Sequence, residues 1–337
     1  MFGIVRFILA WFVVLAHVGH TYQYSSALAV YAFYMLSGFL MTLIMQERYE
    51  YSARGASRYF LNRSLRIYPQ YWLICILTIL VIAILSEENT ALVHPALRFP
   101  HSTHEILSNI FIFGLYPESI HPMARLVPQA WALHVELVFY VLIGLFLGRN
   151  LTIAIIWFAA SIAYHVLANI YGMPRYSPVF AASIAFSIGS LLYHIRPMLR
   201  DIFPYSPKIM VTITLAYVAF VLISGNIPFA ETKIPFYLNL IFFVICLYQL
   251  SLIPRDNKKA TAIDAWFGDL SYPIYLNHWI VGTIIALTLG VRPSLTLFLY
   301  SIPIVFLLSY ASAKFVEIPI EIVRARIRPS KHQIKPD

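Results

Sequence analysis

The sequence predicts an all-α, polytopic transmembrane helical bundle of about ten spans, and three observations point to it. Of the 337 residues, 60% are hydrophobic and only 12% charged, where a soluble domain carries about a quarter charged residues. Apolar runs of about 17 to 25 residues recur along the chain, each long enough to cross a hydrocarbon core. Lys and Arg gather in alternate connections, as the positive-inside rule demands of a multi-pass protein.

The first run, near residues 5–23, carries Arg6 and His17, eleven residues apart. That separation turns a helix by about 1100°, or three turns plus about 20°, so the two side chains share one face about 16 Å apart. A permanent cation and an imidazole on one intramembrane stripe are costly to bury and stand as functional candidates. The spacing places Arg6 near the membrane surface and His17 near mid-depth. The run has no clear small-residue cleavage pattern and is expected to stay as a span rather than be removed as a signal peptide.

Further spans are expected near 28–46, 70–86, 130–148, 151–170, 178–195, 209–225, 235–253, 271–290 and 295–317. In the second, Ser37 and Gly38 put two small residues among large ones, which lets another helix approach or leaves room for a ligand. The following connection is the most basic stretch of the body. Its Arg63 and Arg66 are neighbours on one helical face, and Pro69 punctuates the way into the third span. Membrane anchoring explains such arginines; so does an anion site, because guanidinium forks match phosphate oxygens.

The segment 104–116 is too short to span and lies at the interface or re-enters. Glu136 stands near the start of the fourth span with Trp131 and His134 nearby. Facing inward, it suits acid–base work or holding His17 in one tautomer. The ninth span carries Asp269, Ser271, Tyr272, Tyr275, Asn277 and His278, a set that either glues helices together or lines a polar cavity. Glu317 ends the last span, where a salt bridge to an arginine is expected.

With the N-terminus inside, nineteen of the 24 Lys and Arg fall on the inner face, and an even number of crossings puts both termini in the cytoplasm. Residues 1–317 read as a single transmembrane domain and 318–337 as a basic cytoplasmic tail. The net charge of +9 is therefore topological; it gives no argument for nucleic acid, although basic inner loops suit a phosphorylated cofactor. Cys75 and Cys246 read as buried free thiols. His94, His101, His104 and His121 crowd a long outer loop without companion ligands, so they read as solvated and no metal site is expected.

Six strings in order resemble the membrane-bound acyltransferase family 3, the integral membrane O-acyltransferases that modify surface polysaccharides, lipid-linked glycans and some natural products. Arg6 and His17 reproduce its basic residue, ten-residue gap and histidine. FYMLSGFL is similar to its FFxLSGFL, NRSLRIYPQYW to its RRxxRIxPxYW, WALHVELVFY to its WSLSVExxFY, LSYPIYLNHW to its SYxxYLxHW, and FVEIP to its FVExP. The chain departs from the pattern at Asn62, where an arginine is common, at His134, where serine is usual, and at Val30 and Tyr31.

The resemblance implies an acyltransferase of the inner membrane with acyl-CoA, above all acetyl-CoA, as donor substrate and no permanently bound cofactor. The acceptor it implies is a saccharide or lipid-linked glycan hydroxyl. Arg6, Arg63 and Arg66 would bind the donor, His17 and Glu136 would be catalytic, and Ser37, Trp131, Tyr275 and His278 would line the substrate pocket. A transporter is the competing class, because intramembrane Arg, His and Glu also build ion pathways. Its usual pointer, matching halves with broken helices, is not evident in the sequence.

Overall fold

The computed structural model describes residues 2–116, 123–176, 179–227, 233–254 and 256–329. His121, Arg255 and residues 330–337 of the basic tail lie outside the described residues. No strand occurs among those described. The helices are α1 (Gly3–Gly19), α2 (Ser25–Ile44), α3 (Ala53–Leu85), α4 (Glu87–Val93), α5 (Thr103–Phe111), α6 (Ala130–Leu142) and α7 (Leu151–Ile170). They continue with α8 (Val179–Ile202), α9 (Pro207–Ser224), α10 (Ile234–Ser251), α11 (Lys258–Leu289), α12 (Leu295–Ser312) and α13 (Ile318–Ile327). Single π-helical turns extend α2 to Tyr49 and α6 to Leu147 and join α12 to α13. Among the described residues nine helices are long and apolar enough to cross a membrane. With 17 residues, α1 is the short tenth, at the lower limit for a span.

Local chemistry starts these helices. Ser52, Asn150, Ser206, Asn257 and Ser294 each accept a first-turn backbone N–H through the side chain, satisfying donors that a helix start otherwise leaves orphaned. No neighbouring side chain caps α1. Its cap comes from α11 instead, where Asp264 Oδ1 accepts from Gly3 N at 2.9 Å and Ile4 N at 3.1 Å.

In the core, α1 runs along α11 and α2, α2 crosses α8, and α11 packs on α12. Gly38 and Gly189 make the α2–α8 crossing possible. A Cβ at Gly38 would lie 2.2 Å from the Phe186 carbonyl oxygen, and one at Gly189 would lie 2.0 Å from that of Met35. The expected close helix approach at the Ser37–Gly38 notch is thus the contact with α8.

Three boundaries differ from the sequence reading. The first span ends at Gly19, because His20 and Tyr22 take left-handed backbone angles, φ 48 and 55; His17 therefore lies in the last turn of its helix instead of mid-span. Pro69 does not punctuate α3, which runs on through it. An interior proline costs about 3 kcal/mol, and here neighbours hold the helix: Tyr272 OH donates to the Ile67 carbonyl at 3.0 Å, and Gln70 bonds Ser312. Arg63 and Arg66 are consequently helical. Likewise α11 continues through Pro273, with Gln129 Nε2 donating to the Tyr275 and Leu276 carbonyls.

The short segment lies along α3. Ser102 and Glu105 form a capping box at the start of α5, and its last carbonyls, Ile110 and Phe111, accept from Trp72 Nε1 at 2.9 Å and Tyr68 OH at 2.8 Å. Trp72 lies thirteen residues before the end of α3, so α5 reaches about 20 Å down that helix.

Candidate active site

A cavity with about 830 Å³ of empty space, its solvent-open part included, opens among α1, α2, α3, α6 and α11. Helical periodicity selects what faces it. Val30, Phe33, Ser37 and Leu40 come from one face of α2, Leu133, Glu136 and Tyr140 from one face of α6, and Ser271, Tyr272 and Tyr275 from α11. Arg6, Arg63 and Arg66 complete the lining.

The charges are unequal. Three guanidinium groups share the wall with one carboxylate, Glu136. Arg66 is ion-paired with the buried Glu317, which matches the salt bridge expected for that glutamate. Arg63 donates to Asn62 Oδ1 at 3.3 Å and approaches Met41 Sδ at 3.8 Å, while its buried Nε has no hydrogen-bond partner. Arg6 enters none of the ion pairs found among the described residues. The wall therefore carries an excess of positive charge and an unfilled donor, the features of an anion site.

Glu136 faces inward. Its Oε1 accepts from Ser37 Oγ at 2.5 Å and from the Tyr140 hydroxyl. It is not the hydrogen-bond partner of His17, contrary to one expectation. That partner is His278, with His17 Nδ1 at 3.0 Å from His278 Nε2 and the rings stacked at 5.2 Å. The reason is packing: α1 lies along α11, whereas α6 lies against α2 and α8. Trp279 also stacks on His17, at 5.5 Å, and its ring lies 6.0 Å from that of His278.

Tyr275 joins the two groups. It lines the cavity, its ring meets that of His278 edge-on at 6.3 Å, and its hydroxyl donates to the Gln129 carbonyl at 2.8 Å. Of the residues singled out in the sequence, the structure brings Arg6, Ser37, Arg63, Arg66, Glu136 and Tyr275 to the cavity wall, and His17 and His278 to a pair behind it. Trp131 is not in the lining; it packs edge-on against Tyr176 at 5.3 Å. His134 also turns elsewhere, its Nδ1 accepting from Gly114 N at 3.4 Å.

Two contributors escaped sequence reasoning. Asn62, a departure from the family string, is fully buried and accepts from both Arg63 and Arg324, so it ties α3 to α13. His94 leaves the solvated group expected of the outer-loop histidines and packs on Trp279 at 4.6 Å. A deletion of charge at 62 and a histidine just after α4 carry no periodic signal that would have marked them.

A family model described as an acyltransferase domain matches residues 2–314. The chain belongs to acyltransferase family 3. No curated protein and no solved structure matches it. Every cavity-lining residue of the acyltransferase, and its His17–His278 pair, lies within the matched region. Glu317, in the π turn before α13, and Arg324, in α13, lie just beyond residue 314; Glu317 pairs with Arg66 of the wall, and Arg324 with Asn62. The chain's many apolar helices fit a multi-pass membrane protein.

Proposed function

We propose that the acyltransferase moves an acyl group, acetyl in the first place, from acyl-CoA to a hydroxyl of a glycan, lipid-linked saccharide or related acceptor. The observation that carries this reading is the cavity whose arginine wall is joined through Tyr275 to a hydrogen-bonded histidine pair. CoA has that layout, with phosphates at one end of a long arm and the thioester at the other. Arg6 and Arg63, with Arg66 held by Glu317, take the phosphates from the cytoplasmic side of an inner membrane. The arm then passes Glu136, whose carboxylate suits a pantetheine amide N–H, toward Tyr275 and the histidines.

His17 is the general base. With its proton on Nδ1, directed at His278 Nε2, its own Nε2 is free to take the proton of the acceptor hydroxyl. The hydroxyl oxygen attacks the thioester carbonyl, the C–S bond breaks, and the CoA thiolate takes the proton back from the imidazolium. His278 fixes the tautomer and supports the cation, a role that the third member fills in other base-orienting constellations. Incubating purified protein with [14C]acetyl-CoA and saccharide acceptors tests the reading. Ester formation that disappears in His17→Ala is expected; transfer by His17→Ala at the wild-type rate would overturn it.

A further inference from the structure

The far end of the histidine pair is closed by residues from the connection between α3 and α6. His94 meets Trp279 edge-on at 4.6 Å, and Trp279 in turn stacks on His17. The backbone around His94 is built, not loose. Thr90 Oγ1 and Leu97 N donate to the Leu97 and His94 carbonyls, each at 2.8 Å, and Arg125 N donates to that of Ala96 at 2.9 Å.

The His94 tautomer follows from its contacts. Ala96 N donates to His94 Nδ1 at 3.1 Å, so the proton of the neutral ring sits on Nε2. Burial first, then Arg125 and His17 nearby, push its pKa down to about 3, which keeps the ring neutral through the physiological range. Neither His94 Nε2 nor Trp279 Nε1 has a hydrogen-bond partner among the described residues, and both side chains are partly exposed. Two fixed N–H donors and an aromatic edge thus stand beside the general base with nothing to bond.

We propose that His94 and Trp279 form the subsite that holds the saccharide acceptor of the acyl-transfer reading. Its oxygens accept from the two N–H groups and its C–H face packs on the aromatic edges, which holds one hydroxyl before His17. A neutral ring with uncharged donors suits hydroxyl oxygens better than a phosphate headgroup. The inference rests on the acyl-transfer reading above and places the acceptor beside His17, where its hydroxyl meets the thioester carbonyl.

The test uses purified acyltransferase, [14C]acetyl-CoA and three kinds of hydroxyl probe: methyl glycosides of glucose, galactose and mannose, glycerol, and lysophosphatidylglycerol. Wild-type protein is expected to acetylate at least one glycoside. His94→Ala should raise the KM for that glycoside about tenfold, as loss of a ligand hydrogen bond does, with the KM for acetyl-CoA unchanged. His94→Gln, which returns an N–H at similar reach, should come within about threefold of wild type, and Trp279→Phe, which keeps a ring against His17 but loses the N–H, should raise the glycoside KM. The proposal is overturned by unchanged acceptor kinetics in His94→Ala, or by equal losses for donor and acceptor that Gln does not rescue. Acetylation of glycerol or the lysolipid and of no glycoside also overturns it. Wild-type protein that does not use acetyl-CoA refutes the donor reading, and this inference with it.

Discussion

Replacing His278 tests the role proposed for it, the orienting of His17. The side chain is fully buried, and its Nε2 lies 3.0 Å from His17 Nδ1. In His278→Ala the Nδ1–H of His17 loses its acceptor. An unmade hydrogen bond at such a position costs about 1–3 kcal/mol, and each 1.4 kcal/mol is tenfold in rate, so kcat should fall by about 5- to 150-fold. His278→Gln, with an acceptor oxygen at similar reach, should stay within about tenfold of wild type. His17→Ala should lose about 10² to 10⁴. The double variant should be no slower than His17→Ala, because the second histidine acts only through the first. Initial rates of [14C]acetyl transfer at saturating donor give all four values. Wild-type turnover in His278→Ala, or losses that multiply in the double variant, would refute the reasoning.

At the other end of the cavity, Arg6→Ala and Arg63→Ala should each raise the KM for acetyl-CoA about tenfold or more with little change in kcat, and added salt should blunt the difference. Equal donor kinetics in the variants would remove them from the phosphate site. For the fold, Gly38→Ala forces a Cβ to 2.2 Å from the Phe186 carbonyl oxygen; the detergent-solubilised protein should lose about 1–3 kcal/mol of stability, seen as a lower thermal midpoint. An unchanged midpoint would contradict the α2–α8 crossing described. Glu105 gives the pH prediction. Burial alone would raise its pKa, but N–H donors from Ala124, His101 and Ser102, with Arg98 nearby, outweigh it and hold the carboxyl below the usual range. A depressed folded pKa means that the stabilisation is complete above the unfolded value of about 4.3 and is lost as pH falls through the lower folded value. Amide exchange in α5 should therefore accelerate only in that acid window, and Glu105→Gln should lose protection at neutral pH as well.

Much of this bundle is legible in the sequence because apolar length and helical period are strong signals. They place the spans, the Arg6 face, and the inward set on α2, α6 and α11. Pro69 reads as a break locally, yet Tyr272 and Gln70 supply tertiary contacts that carry α3 through it. His17 stands out in the sequence as an intramembrane polar residue, and its partner does not. Whether His278 or Glu136 meets it depends on which helix packs along α1, and one sequence does not state helix neighbours. Asp264 capping α1 from a distance of 261 positions is hidden for the same reason.

The central claim is that acyl-CoA spans the cavity from the arginines to the histidine pair. Bromoacetyl-CoA, an alkylating donor analogue, tests it directly when followed by peptide mapping by mass spectrometry. The account predicts alkylation on His17 or His278 that excess acetyl-CoA suppresses and that Arg63→Ala weakens. Alkylation only at residues remote from both histidines, or labelling that neither acetyl-CoA nor Arg63→Ala alters, would contradict it.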